Sequence, residues 1–231
     1  MDGHLHIKAK REAFGSRHYT SARLATKGKA DWRYGRIEVR LRPPVGRGTW
    51  AAVWMLPTSS KYGDWPRCGE IDIMEHVGLD PGKVHGTIHT EMCNHKKGTQ
   101  VGNILDAGLG EWHTYGVAWS HDRLNFFYDG QRYLTVTKAH LLGLPDAFSF
   151  PFNSSQLGRQ EKWASEDAWP FNKSFYIVLC LGCTRQQASA HLGLRNVAVG
   201  GDWGGQKGID DEALAAGQVM DVAWVRVYGS S

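Results

Sequence analysis

Three carboxylates crowd one short stretch, Glu70, Asp72 and Glu75 in RCGEIDIMEH, residues 67 to 76. Acids at that density can act on a glycosidic bond, where one carboxyl protonates the departing oxygen while a second attacks or activates water. No lysine or arginine is interleaved to offset their repulsion, so the plain alternative, a solvated strand face, leaves the crowding unexplained. Their spacing is the difficulty. At about 100° per residue a helix points the three in widely different directions, and a regular strand puts Glu70 and Asp72 on one face but Glu75 on the other. A β-bulge with one extra residue around Ile73-Met74 resets the register, returning Glu75 to the face of the other two and keeping the isoleucines inside.

With that bulge the glutamate Cα atoms lie about four strand steps apart, roughly 13 Å. Side chains leaning together could bring the carboxyls toward the roughly 5 to 5.5 Å of retaining glycosidases, and Asp72 between them could tune one of the pair. Aromatic residues stand nearby: Trp65 sits in the loop YGDWPRCG, and Trp50 and Trp54 share a face of the preceding strand. Each offers a flat apolar ring for a sugar to stack on, although Trp50 and Trp54 fit a packed core equally well.

The elements that must position these residues are strands. RIEVRLR, residues 36 to 42, alternates Ile37, Val39 and Leu41 with charged neighbours, the pattern of a half-buried antiparallel strand. HLHIKA, TWAAVWML, EIDIME, VHGTIHT, HTYGVAW, LNFFY, RYLTVT, FYIVL and VAWVRVY read the same way. Asp129-Gly130 in FYDGQRY predicts a type I′ hairpin, and DEALAAG a turn or two of helix closed by Gly217. Residues 139 to 168 read as a long surface connection. The fold class is therefore all-β, a sandwich or jelly roll, and 231 residues with 42% hydrophobic content suit a single domain spanning 1–231.

Composition excludes several functions. A net charge of +4 without basic runs argues against nucleic acid as a partner. No stretch is long and apolar enough to cross a membrane, and MDGHLHIKAK lacks the apolar centre of a signal peptide. CLGC (Cys180 to Cys183) is a weak metal or redox signal, His85, His89, Cys93 and His95 match no common zinc spacing, and GGDWGG has no Lys-Ser/Thr to hold a phosphate. No cofactor and no metal are expected.

GEIDIMEHVG resembles the E-x-D-x-x-E active-site motif of glycoside hydrolase family 16, in its laminarinase-like form. The resemblance runs through SARLATKGKADWRYGRIEVRLRPPVGRGTWAAVWMLP, GDWPRCGEIDIMEHVG, EWHTYGVAWSHDRLNFFYDG and WPFNKSFYIVL. It implies a concanavalin-like β-jelly roll with a concave substrate cleft and retaining, endo-acting hydrolysis of β-1,3-glucan. It makes Glu70 the nucleophile, Glu75 the acid/base and Asp72 their assistant, with Trp65, Trp54, Arg36 and His89 lining sugar subsites. Mixed-linkage glucan, a galactan of the agarase or carrageenase kind, and a non-catalytic glucan-binding role are the alternatives. A monomer acting outside the cell or in the periplasm is expected. Against the family pattern, an N-terminal strand segment is expected to be missing before DGHLHIKAKRE, and residues 180 to 195 read as an insert after FYIVL. Ala223 replaces the aspartate of the M-x-V-D-x-V-R-V-Y pattern that relatives use for calcium, so no calcium site is expected.

Overall fold

The computed structural model describes residues 3–15, 17–108, 110–143, 168–182 and 203–229. Among these residues thirteen strands run in chain order: β1 (Leu5–Phe14), β2 (Arg17–Thr20), β3 (Arg23–Ala25), β4 (Gly35–Arg42), β5 (Trp50–Pro57), β6 (Glu70–Val77), β7 (Lys83–His89), β8 (Val101–Asp106), β9 (His113–Trp119), β10 (Arg123–Tyr128), β11 (Gln131–Thr137), β12 (Phe175–Leu181) and β13 (Gln218–Tyr228). They form two antiparallel sheets, one of seven strands in the order β11-β10-β9-β4-β13-β1-β2 and one of six in the order β3-β12-β5-β6-β7-β8. Short helices α1 (Lys138–Leu141) and α2 (Asp211–Ala215) and a 3-10 turn at His95–Lys97 accompany them.

Alternation decides which face of each sheet is buried. Ile37, Val39 and Leu41 of β4 are fully buried against Ile71, Ile73 and Met74 of β6, and these belong to one core cluster between the sheets. Each such side chain contributes roughly 1.5–3 kcal/mol by leaving water, which makes a one-residue register slip costly. The six-stranded sheet is also covered on its outer face. Ala52, Trp54, Leu56, Tyr176, Val178 and Cys180 form a second buried cluster there, with Trp65 packed on it.

The predicted hairpin is present, with φ of 45° at Asp129 and 78° at Gly130, the left-handed pair that a type I′ turn needs. Three strands escaped the sequence reading. Arg17–Thr20 and Arg23–Ala25 are too short to show alternation, and VGNILD of β8 hides its period behind Gly102 and Asn103. Two boundaries need correction. The stretch read as a surface connection from residue 139 begins inside α1, whose first turn the Thr137 hydroxyl caps by accepting from the His140 N–H. The expected insert at 180 to 195 starts too early, because Cys180 and Leu181 continue β12 and pair with Ala52 and Ala51 of β5. Residues 183 to 195 of that expected insert lie outside the described residues.

Candidate active site

Strand β6 enters through Gly69, whose φ of 85° is a left-handed conformation, and an added Cβ there would stand 2.7 Å from Pro170 Cγ. Only glycine fits both constraints without strain. From there the register shows the bulge. On β5, Val53 pairs with Met74 but the next residue, Trp54, pairs with Asp72, so Ile73 is extra on that side. On β7, Asp72 opposes Thr87 while Glu75 opposes His85, again one residue too many on β6. Ile71, Ile73 and Met74 consequently all join the core between the sheets, while Glu70, Asp72 and Glu75 share the outer face. The glutamates lie opposite His89 and His85, four strand steps apart, or about 13 Å between Cα atoms.

Facing away from the core, the three acids are nonetheless only 2%, 2% and 5% exposed. They sit in a recess whose walls are aromatic. Trp65 Nε1 donates to Glu70 Oε2, and Trp50 Nε1 donates to Glu75 Oε1 at 3.1 Å. Each glutamate thus receives one indole N–H, which is worth more to a charged acceptor than to a neutral one. His89 Nε2 lies 3.2 Å from Asp72 Oδ2, both groups nearly inaccessible, and the His89 ring stands 5.9 Å from that of Trp65. Trp203 closes the other side, edge-on to Trp50 at 5.3 Å and to His85 at 4.8 Å. Burial holds the His85 imidazole below its ordinary pKa, favouring a neutral ring beside Glu75.

Of the residues expected at the site, the structure gathers Glu70, Asp72, Glu75, Trp50, Trp54, Trp65 and His89 on one face of the six-stranded sheet. Trp54 is part of the floor, 5% exposed, with Nε1 donating to Cys180 Sγ at 3.3 Å. Trp50 and Trp65 are donors to the acids as well as wall. Arg36 is a correction. It lies on β4 in the seven-stranded sheet, on the face opposite Ile37 and Val39, where it pairs with Glu38 at 2.6 Å and covers Phe127 at 4.3 Å. The core separates it from the acids.

Sequence reasoning missed Trp203 and Arg23. Arg23 lies on the short edge strand β3, its guanidinium 4.6 Å from the Trp54 ring, and the strand alternation of β3 is too brief to assign a face. Cys68, two residues before Glu70, has its thiol pushed up to about 11 by burial, which makes it a poor nucleophile.

The sequence profile described as Glycosyl hydrolases family 16 matches residues 1–173. A "Beta-glucanase" from Rhodothermus marinus is 41% identical over 230 residues, covering 98% of this chain and 68% of the relative. A "Glucan endo-1,3-beta-glucosidase" from Cryptopygus antarcticus is 34% identical over 224 residues, covering 90% of this chain and 67% of the relative. Among solved structures, the laminarinase from Rhodothermus marinus superposes with a TM-score of 0.78 at 39% identity, over 98% of this chain and 77% of that one. The two-sheet sandwich described above is therefore the jelly roll of these enzymes.

Proposed function

Because the chain belongs to glycosyl hydrolase family 16, we propose that it is a retaining endo-hydrolase of β-1,3-glucan in which Glu70 is the nucleophile and Glu75 the acid/base. The observation that carries this reading is the bulge in β6, which sets both glutamates and Asp72 on one recessed face and supplies each glutamate with an indole N–H.

Glu75, in its acid form, gives a proton to the glycosidic oxygen as a Glu70 carboxylate oxygen attacks the anomeric carbon; the C–O bond to the leaving sugar breaks and a glycosyl-enzyme forms. Glu75, now a carboxylate, takes a proton from a water that attacks the same carbon, releasing Glu70 with the anomeric configuration retained. The Trp65 N–H fixes the orientation of the Glu70 carboxylate, and the Trp50 N–H stabilises Glu75 in the charged form that its second role requires. Asp72, held against His89, stands between the two and places negative charge beside them. In this reading Glu75 carries the proton when substrate binds, as its role as acid requires.

We read the enzyme as a monomer, with residues 1–231 acting as one catalytic domain. A polymeric substrate places its action outside the cytoplasm. Among the described residues no helix is long and apolar enough to cross a membrane. The test is reducing-sugar release from laminarin, mixed-linkage glucan, agarose and carrageenan by wild type, Glu70→Gln and Glu75→Gln, with the anomer of the first product read by proton NMR. Laminarin cleavage that both variants lose, with retained configuration, is the expected result. An inverted first product, or full activity in Glu70→Gln, would refute the assignment.

A further inference from the structure

The second apolar cluster, on the cleft face of the six-stranded sheet, carries a layer of positive charge. Each of its three aromatic residues is covered by a cation: Arg23 lies over Trp54 at 4.6 Å, Lys27 over Tyr176 at 5.6 Å and Lys96 over Trp65 at 5.0 Å. Trp54 and Tyr176 are only 5% and 6% exposed beneath this layer. A glycan entering here meets guanidinium and ammonium N–H groups before it meets a ring face.

These cations are not spent on protein acids among the described residues. Among the described residues, none of the three makes a salt bridge or a side-chain hydrogen bond. Of the acids near them, Glu91 is held by Lys97 at 3.0 Å, and Glu70 reaches Arg23 only through space. Burial pulls the Arg23 guanidinium below its ordinary pKa, and the charges of Tyr176 and Glu70 pull it back.

Across the acids the cleft is different. On the faces of β7 and β8 that continue the row from Glu75 stand His85 and Ile104, the latter 55% exposed, with Trp203 above His85. Lys83, a cation on that side, is held by Asp106. Among the described residues, three cations that no carboxylate neutralises thus stand on the half of the cleft built by β5, β12 and β3 and on the loop wall around Trp65.

When a glycan fills this recess, the cations lose hydration. A neutral sugar returns single hydroxyl acceptors, whereas a carboxylate or sulfate returns charge and two acceptor oxygens that match the fork of an arginine. We propose that this half of the cleft is a subsite for a sugar unit bearing an anionic substituent, so that the preferred substrate is an acidic β-glucan, carboxylated or sulfated. The inference rests on the glucan-hydrolase reading and narrows its substrate class.

The test uses Glu70→Gln protein, so that binding is read without turnover. Laminarin, lightly carboxymethylated laminarin and lightly sulfated laminarin are titrated by calorimetry at about 20 mM and about 500 mM NaCl, conditions that span weak and strong screening. At low salt at least one anionic polymer binds about tenfold more tightly than neutral laminarin, and the advantage collapses at high salt. Which of the two it is separates carboxylate from sulfate. Adding Lys27→Gln and Lys96→Gln together removes about half or more of the low-salt advantage of the anionic polymer over neutral laminarin. Equal or weaker binding of both anionic polymers at low salt would overturn the proposal, as would an advantage untouched by the two lysine substitutions, or no binding of any of the three polymers. Failure of the hydrolase reading shows separately, as absence of laminarin cleavage by wild type.

Discussion

Deleting the bulge tests the central geometric claim. With Met74 removed, β6 reads Glu70-Ile71-Asp72-Ile73-Glu75, a strict alternation in which all three acids still share one face. The Cα span between the glutamates remains four strand steps, because the bulged strand already matches the four steps from His89 to His85 on β7. The acids keep their side of the sheet, and the loss falls on the core. Met74 is fully buried between the sheets, so its removal costs about 2–5 kcal/mol, as for other large-to-small core changes. Adding an alanine between Met74 and Glu75 does the reverse. It sends the Glu75 carboxylate toward Ile71 and Ile73, where an unpaired charge costs several kcal/mol. The assay is thermal melting beside initial rates on laminarin. The deletion variant is expected to melt cooperatively at lower temperature and keep at least about 1% of kcat/KM, allowing for an ångström-scale misplacement. The insertion variant is expected to fall by about a thousandfold or more. A deletion variant that folds cooperatively and is as inactive as Glu70→Gln, or an insertion variant that remains active, would refute the register argument.

Trp50→Phe and Trp65→Phe each keep a ring and remove the N–H given to a glutamate, so each is expected to lose about 1.5–3 kcal/mol of transition-state stabilisation, roughly 10- to 100-fold in kcat, measured at constant laminarin saturation. Arg36→Ala, far from the cleft, should leave kcat and KM within about twofold of wild type; a larger kinetic effect without a drop in Tm would return Arg36 to the site. Gly69→Ala forces a left-handed alanine against Pro170 and should lower stability by about 1–3 kcal/mol in denaturant titration. Stability should fall as pH drops below about 6.5, since burial holds His76 and His85 below their ordinary pKa and an unfolded histidine binds the proton more readily. Their contribution is fully present above the unfolded value and is lost as pH falls through the depressed folded values. Chemical denaturation at pH 7.5 and 5.0 measures it, and His76→Leu should flatten the difference.

How much could be read from the chain differs residue by residue. The parity of Glu70, Asp72 and Glu75 demands a bulge in any strand that uses all three, because side-chain direction along a strand is a local property of the backbone. The same holds for the alternation of β4 and the left-handed pair at Asp129-Gly130. Arg36 is set at a subsite by resemblance alone, and alternation offers no check on it, because alternation assigns a face of a strand but not the sheet to which the strand belongs. Ile37 and Ile71 point into the same core from opposite sheets, so their polar neighbours point to opposite sides of the molecule. Arg23 and Trp203 reach the cleft from segments far from residue 70, through pairing of β3 with β12 and the contacts of Trp203 with Trp50 and His85. The sequence by itself thus determined the acids, their need for a bulge and the strands that carry them. Tertiary structure alone decided which indole serves which glutamate, which histidine holds Asp72 and which cations cover the floor, because those contacts depend on the register between strands distant in the chain, and no local pattern encodes it.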